Sequence, residues 1–589
     1  MEKNFIDGHG GIDNKYEILK GFSYDKVVLG DCSLKKELSE IGEFYLAIRV
    51  NDAFYEMRKK AGVDVRDGKT LAEGQSWFYE GGIVLGQWLQ AYSRLYAMTG
   101  DERYRLRVAE YVDAFAEVAA VQPDCVICIN TYAAEKIFNG LLDAQLYCGY
   151  SKAYSVCRGL VDQFMDRPEI QKARLRLGDN GGSPDETACE IEWYTVSKSL
   201  YRFLESAKNA GEEEAYIRKI KKFAEKFRYF QFWDIFKEGR DVFHYSPTAG
   251  QNTAYFHAYS HLNSFNSAAY IYECTGERYY LDATLGFNRF LRDTQLLVTG
   301  GFGAYLEWFM PQTGIIYALR YHHNNFETQC NSYASFCLNA FLTRATGKLE
   351  YGDLTELLLY NATLASLPTD ERGHAFYYSD YSAQGGEKQL HPATWTCCSG
   401  TRPLALLEVV RNIYFTDRNR AIYVNLFLNS QVTHDGVTVA QQTKFPASEN
   451  VKFKVSSDKK KLVVLYIRKP AYLTGKAIVD GNDQVKMSEL DGQYKVELAL
   501  DGSCEFMLHL PMAVKEYDIA ACGEGVRAFR YGPTALAAEG IPVTTAPMSE
   551  TFEREGLELR FKCGDMTFRP FSEYRKGEKY KMYFEMQEK

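Results

Sequence analysis

Five glycines divide the first two thirds of the chain at a regular beat. They are Gly100, Gly149, Gly211, Gly276 and Gly347, spaced by about 50 to 70 residues. Each closes a stretch with apolar spacing near 3.6, such as GQWLQAYSRLYAM or NGLLDAQLYCGY, and a new helical pattern starts within a few residues. YAMTGDERYRLRVAEYVDAF, YECTGERYYLDATLGFNRFL and TRATGKLEYGDLTELLLYN show the plan most clearly. YCGYSKAYSVCRGLVDQF and NAGEEEAYIRKIKKFAEKF follow it more loosely. This is the period of a helical hairpin repeated about six times. Stacked hairpins give a solenoid or, if the ring closes, an α/α toroid. A toroid has a central cavity of helix ends and loops, suited to a small molecule.

The pattern changes after about residue 416. AIYVNLFLNSQV alternates with period two, and VKFKVSSDKKKLVVLYIRKP and QYKVELALDGSCEFMLHLP each read as a pair of strands. The expected division is a helical domain over 1–415, a β-sandwich over 416–545, and a strand-rich segment over 546–589 that packs back on the rest. A chain of 589 residues is too long for one core, which agrees with a multidomain α-then-β architecture.

Charge and hydropathy remove some function classes. The net charge of −8 gives no electrostatic case for nucleic acid. No apolar run approaches 18 residues, so no membrane span is expected. The start, MEKNFIDGHGGIDNKYEILK, has no apolar segment like that of a signal peptide. The expected compartment is cytoplasmic, or periplasmic if a leader precedes this sequence. Fourteen cysteines are too sparse for a disulfide scaffold and read as reduced thiols, with a metal site open.

Where those thiols fall matters. TWTCCSGT places Cys397 and Cys398 side by side, where a mutual disulfide would be strained. NFETQCNSY supplies Glu327 and Cys330, three apart and so on one face if the segment is helical. Three thiolates and a carboxylate complete a tetrahedral zinc site; unrelated buried thiols are the plainer reading. Cys125 and Cys128 in CVIC have metal-knuckle spacing, but without a second such pair they read as buried apolar thiols. In TGGFGAYLEWFMP, Glu307 stands among apolar neighbours, which suits a general acid; a solvated turn is the alternative. His257 and His261 lie four apart with no HExxH glutamate, so hydrogen bonding to a polar ligand or within the core is expected rather than zinc.

In order and spacing these segments resemble the β-L-arabinofuranosidase-type glycoside hydrolases of family 127 and relatives such as family 146. The resemblance begins at FSYDKVVLGDCSLKKELSEIGEFYLAIRVNDAFYEMRKKAGVD and continues through EKIFNGLLDA, HAYSH, VTGGFGAYLEWF, CNSY, YGDLTELLLYNATLAS and CCSGT. It extends through IYVNLFLNS, IRKPAY, LPM and YGPTALAAE. It implies an (α/α)6 barrel followed by β-sandwich domains. It also implies a retaining glycosidase in which Cys397 is a zinc-bound nucleophile and Glu307 the acid/base. Glu327, Cys330, Cys397 and Cys398 are then the Zn2+ ligands, the ligand cysteines matching the family's. Two residues, Thr328 and Gln329, separate Glu327 from Cys330 where the family has one. Ile83, Gln87 and Glu135 stand where one branch has histidines, and TACEIEW lacks a Gly-His that often precedes this Glu-x-Glu; His257 remains. The expected substrate-facing set is Gln87, Glu135, His257, His261 and Tyr333. The implied partner is a carbohydrate, a furanoside or an unusual plant cell-wall sugar, with a homodimer as one allowed assembly. A non-catalytic sugar-binding relative with a structural zinc, and an α/α-barrel lyase or epimerase, are the competing readings.

Overall fold

Gly100, Gly149, Gly211, Gly276 and Gly347 all adopt positive φ, between 64° and 78°, each just past the last residue of a long helix. A side chain there would strain the backbone, which is why the helix stops at glycine. The structure, a computed structural model, describes residues 15–71, 82–127, 130–178, 187, 189–245, 256–304, 307–323, 329–366, 376–390, 396–481, 483–518, 526–541 and 551–585.

Twelve helices alternate between two layers. The outer ones are α1 (Ser33–Ala47), α3 (Glu102–Val121), α5 (Ser151–Asp166), α7 (Glu214–Lys226), α9 (Arg278–Phe290) and α11 (Gly352–Leu358). The inner ones are α2 (Ile83–Thr99), α4 (Thr131–Cys148), α6 (Ser197–Ala210), α8 (Ala258–Thr275), α10 (Gln329–Thr346) and α12 (Cys397–Arg411). Each inner helix packs on the next, α12 returns to α2, and each outer helix backs one inner helix. The ring is closed: an (α/α)6 barrel. The layers differ as their positions require. Outer α7 buries Ile217, Ile220, Phe223 and Ala224 on one stripe, whereas every residue of inner α12 is buried.

Two features fix the ring. Gly86 of α2 and Gly140 of α4 meet backbone to backbone; a Cβ on Gly140 would lie 2.5 Å from the Gly86 carbonyl oxygen. Charges also bridge four inner helices. Arg94 of α2 bonds Asp143 of α4 at 2.8 Å and Glu408 of α12 at 2.6 Å, and Arg202 of α6 bonds Asp143 at 2.6 Å.

The β region begins at the end of α12. Two six-stranded sheets hold most of residues 414–509, with alternating burial: Val451, Phe453 and Val455 point inward and Lys454 outward. Residues 19–29, ahead of the first barrel helix, belong to these sheets. Leu19–Gly21 pairs with Tyr414–Asp417 in one sheet, and Val27–Leu29 with Ser430–His434 in the other. Three-residue strands carry too little periodicity to be read locally. A third sheet, of eight strands, runs from Val514 to Glu585. The sheets therefore divide near residue 512 instead of 545, and the final strands belong with those of 514–539. Such pairing is set by long-range register that a local pattern does not contain. No described helix is long and apolar enough to cross a membrane.

Gly140→Ala should force α2 and α4 apart. The expected loss is about 1–3 kcal/mol of stability, read from denaturant unfolding. An unchanged midpoint would show that the close approach is not needed.

Candidate functional site

The glycine stops lie at the C-terminal ends of the inner helices. The chemistry lies at their opposite ends. Cys397 and Cys398 open α12, Cys330 is the second residue of α10, and His257 immediately precedes α8. Cys330 Sγ is 3.3 Å from Cys397 Sγ, 3.5 Å from Cys398 Sγ and 3.2 Å from Thr401 Oγ1. The three sulfurs lie within 4.8 Å of one another, all buried. Among the described residues no other His, Cys, Asp or Glu group converges this tightly as a metal site.

Helix N-termini favour negative charge, but burial opposes it. Burial and the bonds to Cys397 and Cys398 push the Cys330 thiol up. For Cys397 the bond from Cys330 works downward. Its bond to Cys398, its burial and the charges of Cys398 and Glu307 outweigh that and hold it high. Cys398 goes the other way: burial raises it, but hydrogen bonds from Cys330 and Cys397 bring it well below the usual thiol range. Three thiolates in this volume require a cation, and sulfur donors suit zinc. The proposed fourth ligand, Glu327, lies outside the described residues.

Glu307 is on no solvated turn; its side chain is 12% exposed. Its φ of 69° is strained for a non-glycine residue. Backbone bonds hold it there: Ala258 N donates to Glu307 O at 2.7 Å, and Phe309 N to Phe256 O at 2.9 Å. Its charge reaches the cluster, raising both Cys397 and Cys398. His257 Nε2 is 2.5 Å from Glu307 Oε2, and His257 Nδ1 is 2.6 Å from Glu192 Oε1. Burial disfavours a charged ring, but the two carboxylates prevail and raise the His257 pKa well above its ordinary value. Glu192 was not among the residues expected at the site. Its signal was the Glu-x-Glu of TACEIEW, where Glu190 instead pairs with Arg174 at 2.9 Å.

The remaining expected residues separate. Glu135 is buried; it binds the Lys136 ammonium and accepts from Asn139 Nδ2 at 2.9 Å. Lys136 in turn donates to Tyr259 OH at 2.7 Å and lies 4.2 Å over the Tyr132 ring. Burial raises the Tyr259 pKa, and the charges of Glu135, Cys330 and Cys397 add to it, which puts this wall beside the sulfurs. Tyr333 lies one turn beyond Cys330 and is partly exposed. Gln87 is 1% exposed and packs against Gly400, with no hydrogen-bond partner for either amide atom among the described residues.

His261 is held in the core. It is fully buried, with Nδ1 2.9 Å from Tyr194 OH and Nε2 3.3 Å from Tyr229 OH, and burial pushes its pKa well below the ordinary histidine range. Four-residue spacing shares a face with His257, but an inner helix has core on every side. Cys125 is buried; Cys128 lies outside the described residues.

A closed double-layered helical barrel, β domains behind it and sulfur at the inner-helix N-termini define a narrow class. The model of the β-L-arabinofuranosidase GH127 catalytic domain matches residues 120–403, and that of the GH127 middle domain matches 421–512, together more than half of the chain. The chain belongs to glycoside hydrolase family 127. Its fold is similar to that of a GH127 β-arabinofuranosidase, with a TM-score of 0.69, 15% identity and coverage of 98% of this chain and 99% of the other. A GH127 β-L-arabinofuranosidase from Geobacillus stearothermophilus T6 gives 0.66 at 15% identity, covering 95% and 100%. A third structure, described as a glycoside hydrolase, gives a TM-score of 0.67 at 13% identity, covering 98% of each chain. No curated protein sequence matches.

The raised His257 pKa has a consequence for stability. A folded pKa above the unfolded value of about 6.5 contributes stability that is fully present below that pH. The contribution is lost as pH rises through the folded value. The gap in melting temperature between the native protein and His257→Gln should be widest below about pH 6.5 and shrink as pH rises. A gap that widens with pH would contradict the charged ring.

Proposed function

We propose that the protein is a retaining glycosidase acting on β-L-arabinofuranosides or closely related furanosides of plant cell-wall glycans. Cys397 is the nucleophile and Glu307 the acid/base. The reading is carried by one observation: three buried sulfurs at converging helix N-termini, with the Glu307 carboxylate close enough to act on them. Cys330, Cys397 and Cys398, with Glu327 as fourth ligand, would hold zinc, which keeps the thiols deprotonated near neutral pH.

Cys397 Sγ attacks the anomeric carbon while Glu307 protonates the departing oxygen. The sugar is then held as a thioglycoside. Glu307, now a carboxylate, takes a proton from water, which attacks the same carbon and releases the sugar with net retention. Gln87, Glu135 and Tyr333 are proposed to face the sugar hydroxyls. The unsatisfied amide of Gln87 supports this, since a buried amide without partners is costly unless a ligand or water completes it.

The test combines metal analysis with covalent trapping. One zinc per chain is expected, together with turnover of an aryl β-L-arabinofuranoside. A mechanism-based furanosyl inactivator should leave its mass on Cys397, located by peptide fragmentation. A label on Cys398 would reverse the two thiols' roles, and one on a carboxylate would remove the thiolate mechanism. Glu307→Gln should lower turnover of substrates with poor leaving groups by about 100- to 10,000-fold. The first step on activated aryl substrates should suffer far less. Equal losses on both would argue against an acid role.

A further inference from the structure

The acid/base candidate is linked through His257 to a second carboxylate, Glu192. Both nitrogens of His257 meet carboxylates, Nε2 at 2.5 Å from Glu307 and Nδ1 at 2.6 Å from Glu192. Ser260 Oγ lies 2.8 Å from Nδ1 and also donates to Glu192. A neutral imidazole has one N–H and can donate to only one ionised carboxylate; an imidazolium donates to both. Glu192 at φ 48° and Glu307 at φ 69° are both held in the left-handed region. Such a conformation is strained for a non-glycine residue. Two strained carboxylates aimed at opposite edges of one ring are more than packing requires.

We propose that Glu192 and His257 are positioning residues for Glu307: Glu192 keeps His257 an imidazolium, and the imidazolium orients the Glu307 carboxylate through Oε2. The proposal rests on Glu307 being the acid/base. The ring keeps both protons throughout. Glu307 gives its proton to the leaving oxygen, faces a cation while ionised, and recovers a proton from water. The Glu192 charge offsets the cation, so the ring orients Glu307 without leaving an unbalanced positive charge beside it. The other groups around the ring fit this arrangement. Lys136 acts on Glu192 from α4, Trp308 and Tyr259 set ring edges or faces at 5.7 and 6.3 Å, and His261 is neutral. A ring with both nitrogens committed to carboxylates is not primarily a sugar contact.

The sign of the test follows from charge. Removing a negative charge makes the remaining groups release their proton at lower pH, and removing a positive charge does the reverse. In pH profiles of kcat/KM, measured on the metal-loaded full chain with an aryl furanoside, the basic limb of Glu192→Gln should move down by about one pH unit or more. That of His257→Gln should move up, and Glu192→Asp should stay near the native position. KM should change little in Glu192→Gln while kcat falls. Unmoved limbs with a lower kcat would mean a purely structural role and overturn the proposal. Unmoved limbs with a strongly raised KM would make the pair sugar ligands and overturn it equally. Glu307→Gln separates the two levels. If it retains full activity, the proposed function fails; if it is inactive while Glu192→Gln keeps the native profile, only the positioning role fails.

Discussion

Arg94, Asp143, Arg202 and Glu408 are charged, come from four different inner helices, and are 0–1% exposed. Each is costly to bury alone. Breaking such a buried pair by removing one partner costs about 3–5 kcal/mol, so the four must meet in one arrangement. Apolar packing alone would let inner helices slide by a turn with modest loss. The shared charges, with the Gly86–Gly140 contact, do not. α10 packs directly on α12, one of the helices so fixed, and sulfurs from the N-terminal ends of these two come within 3.5 Å across nearly 70 residues of chain.

Those ends give the site its electrostatic character. Several helix N-termini face one cavity, which favours anions. The protein lines it with acidic groups of its own: the three thiols, Glu192, Glu307 and Glu135. Two cationic side chains among the described residues stand beside them. Lys136 is held by Glu135 and Tyr259, and His257 by two carboxylates.

How much of this was legible depends on the range of the interactions. The helix stops were, because a glycine at positive φ is a local requirement. So were the adjacent thiols and Glu307, whose residue types are conspicuous where they stand. His261 misled because periodicity identifies a helical face but not whether the helix has a solvent face at all. Glu192 was missed because nothing near it in sequence indicates that His257 will arrive 65 residues later. The division of the β region was misplaced for the same reason: strands such as Val526–Tyr531 and Phe584–Glu585 become one sheet only through pairing, which neither segment declares alone.

The short strands at Leu19–Gly21 and Val27–Leu29 tie the start of the chain to sheets completed some 400 residues later. During synthesis at roughly 5–20 residues per second, this opening segment waits on the order of half a minute for its partners. The helical ring can assemble hairpin by hairpin as it emerges. The sheets cannot close until Ser430–His434 has left the ribosome, and when they do, residues 19–29 are stitched to strands of 414–434. The barrel and the sheets behind it are thus joined by two separate stretches of backbone. A cut or an insertion in the connection after α12 would leave them attached through the other.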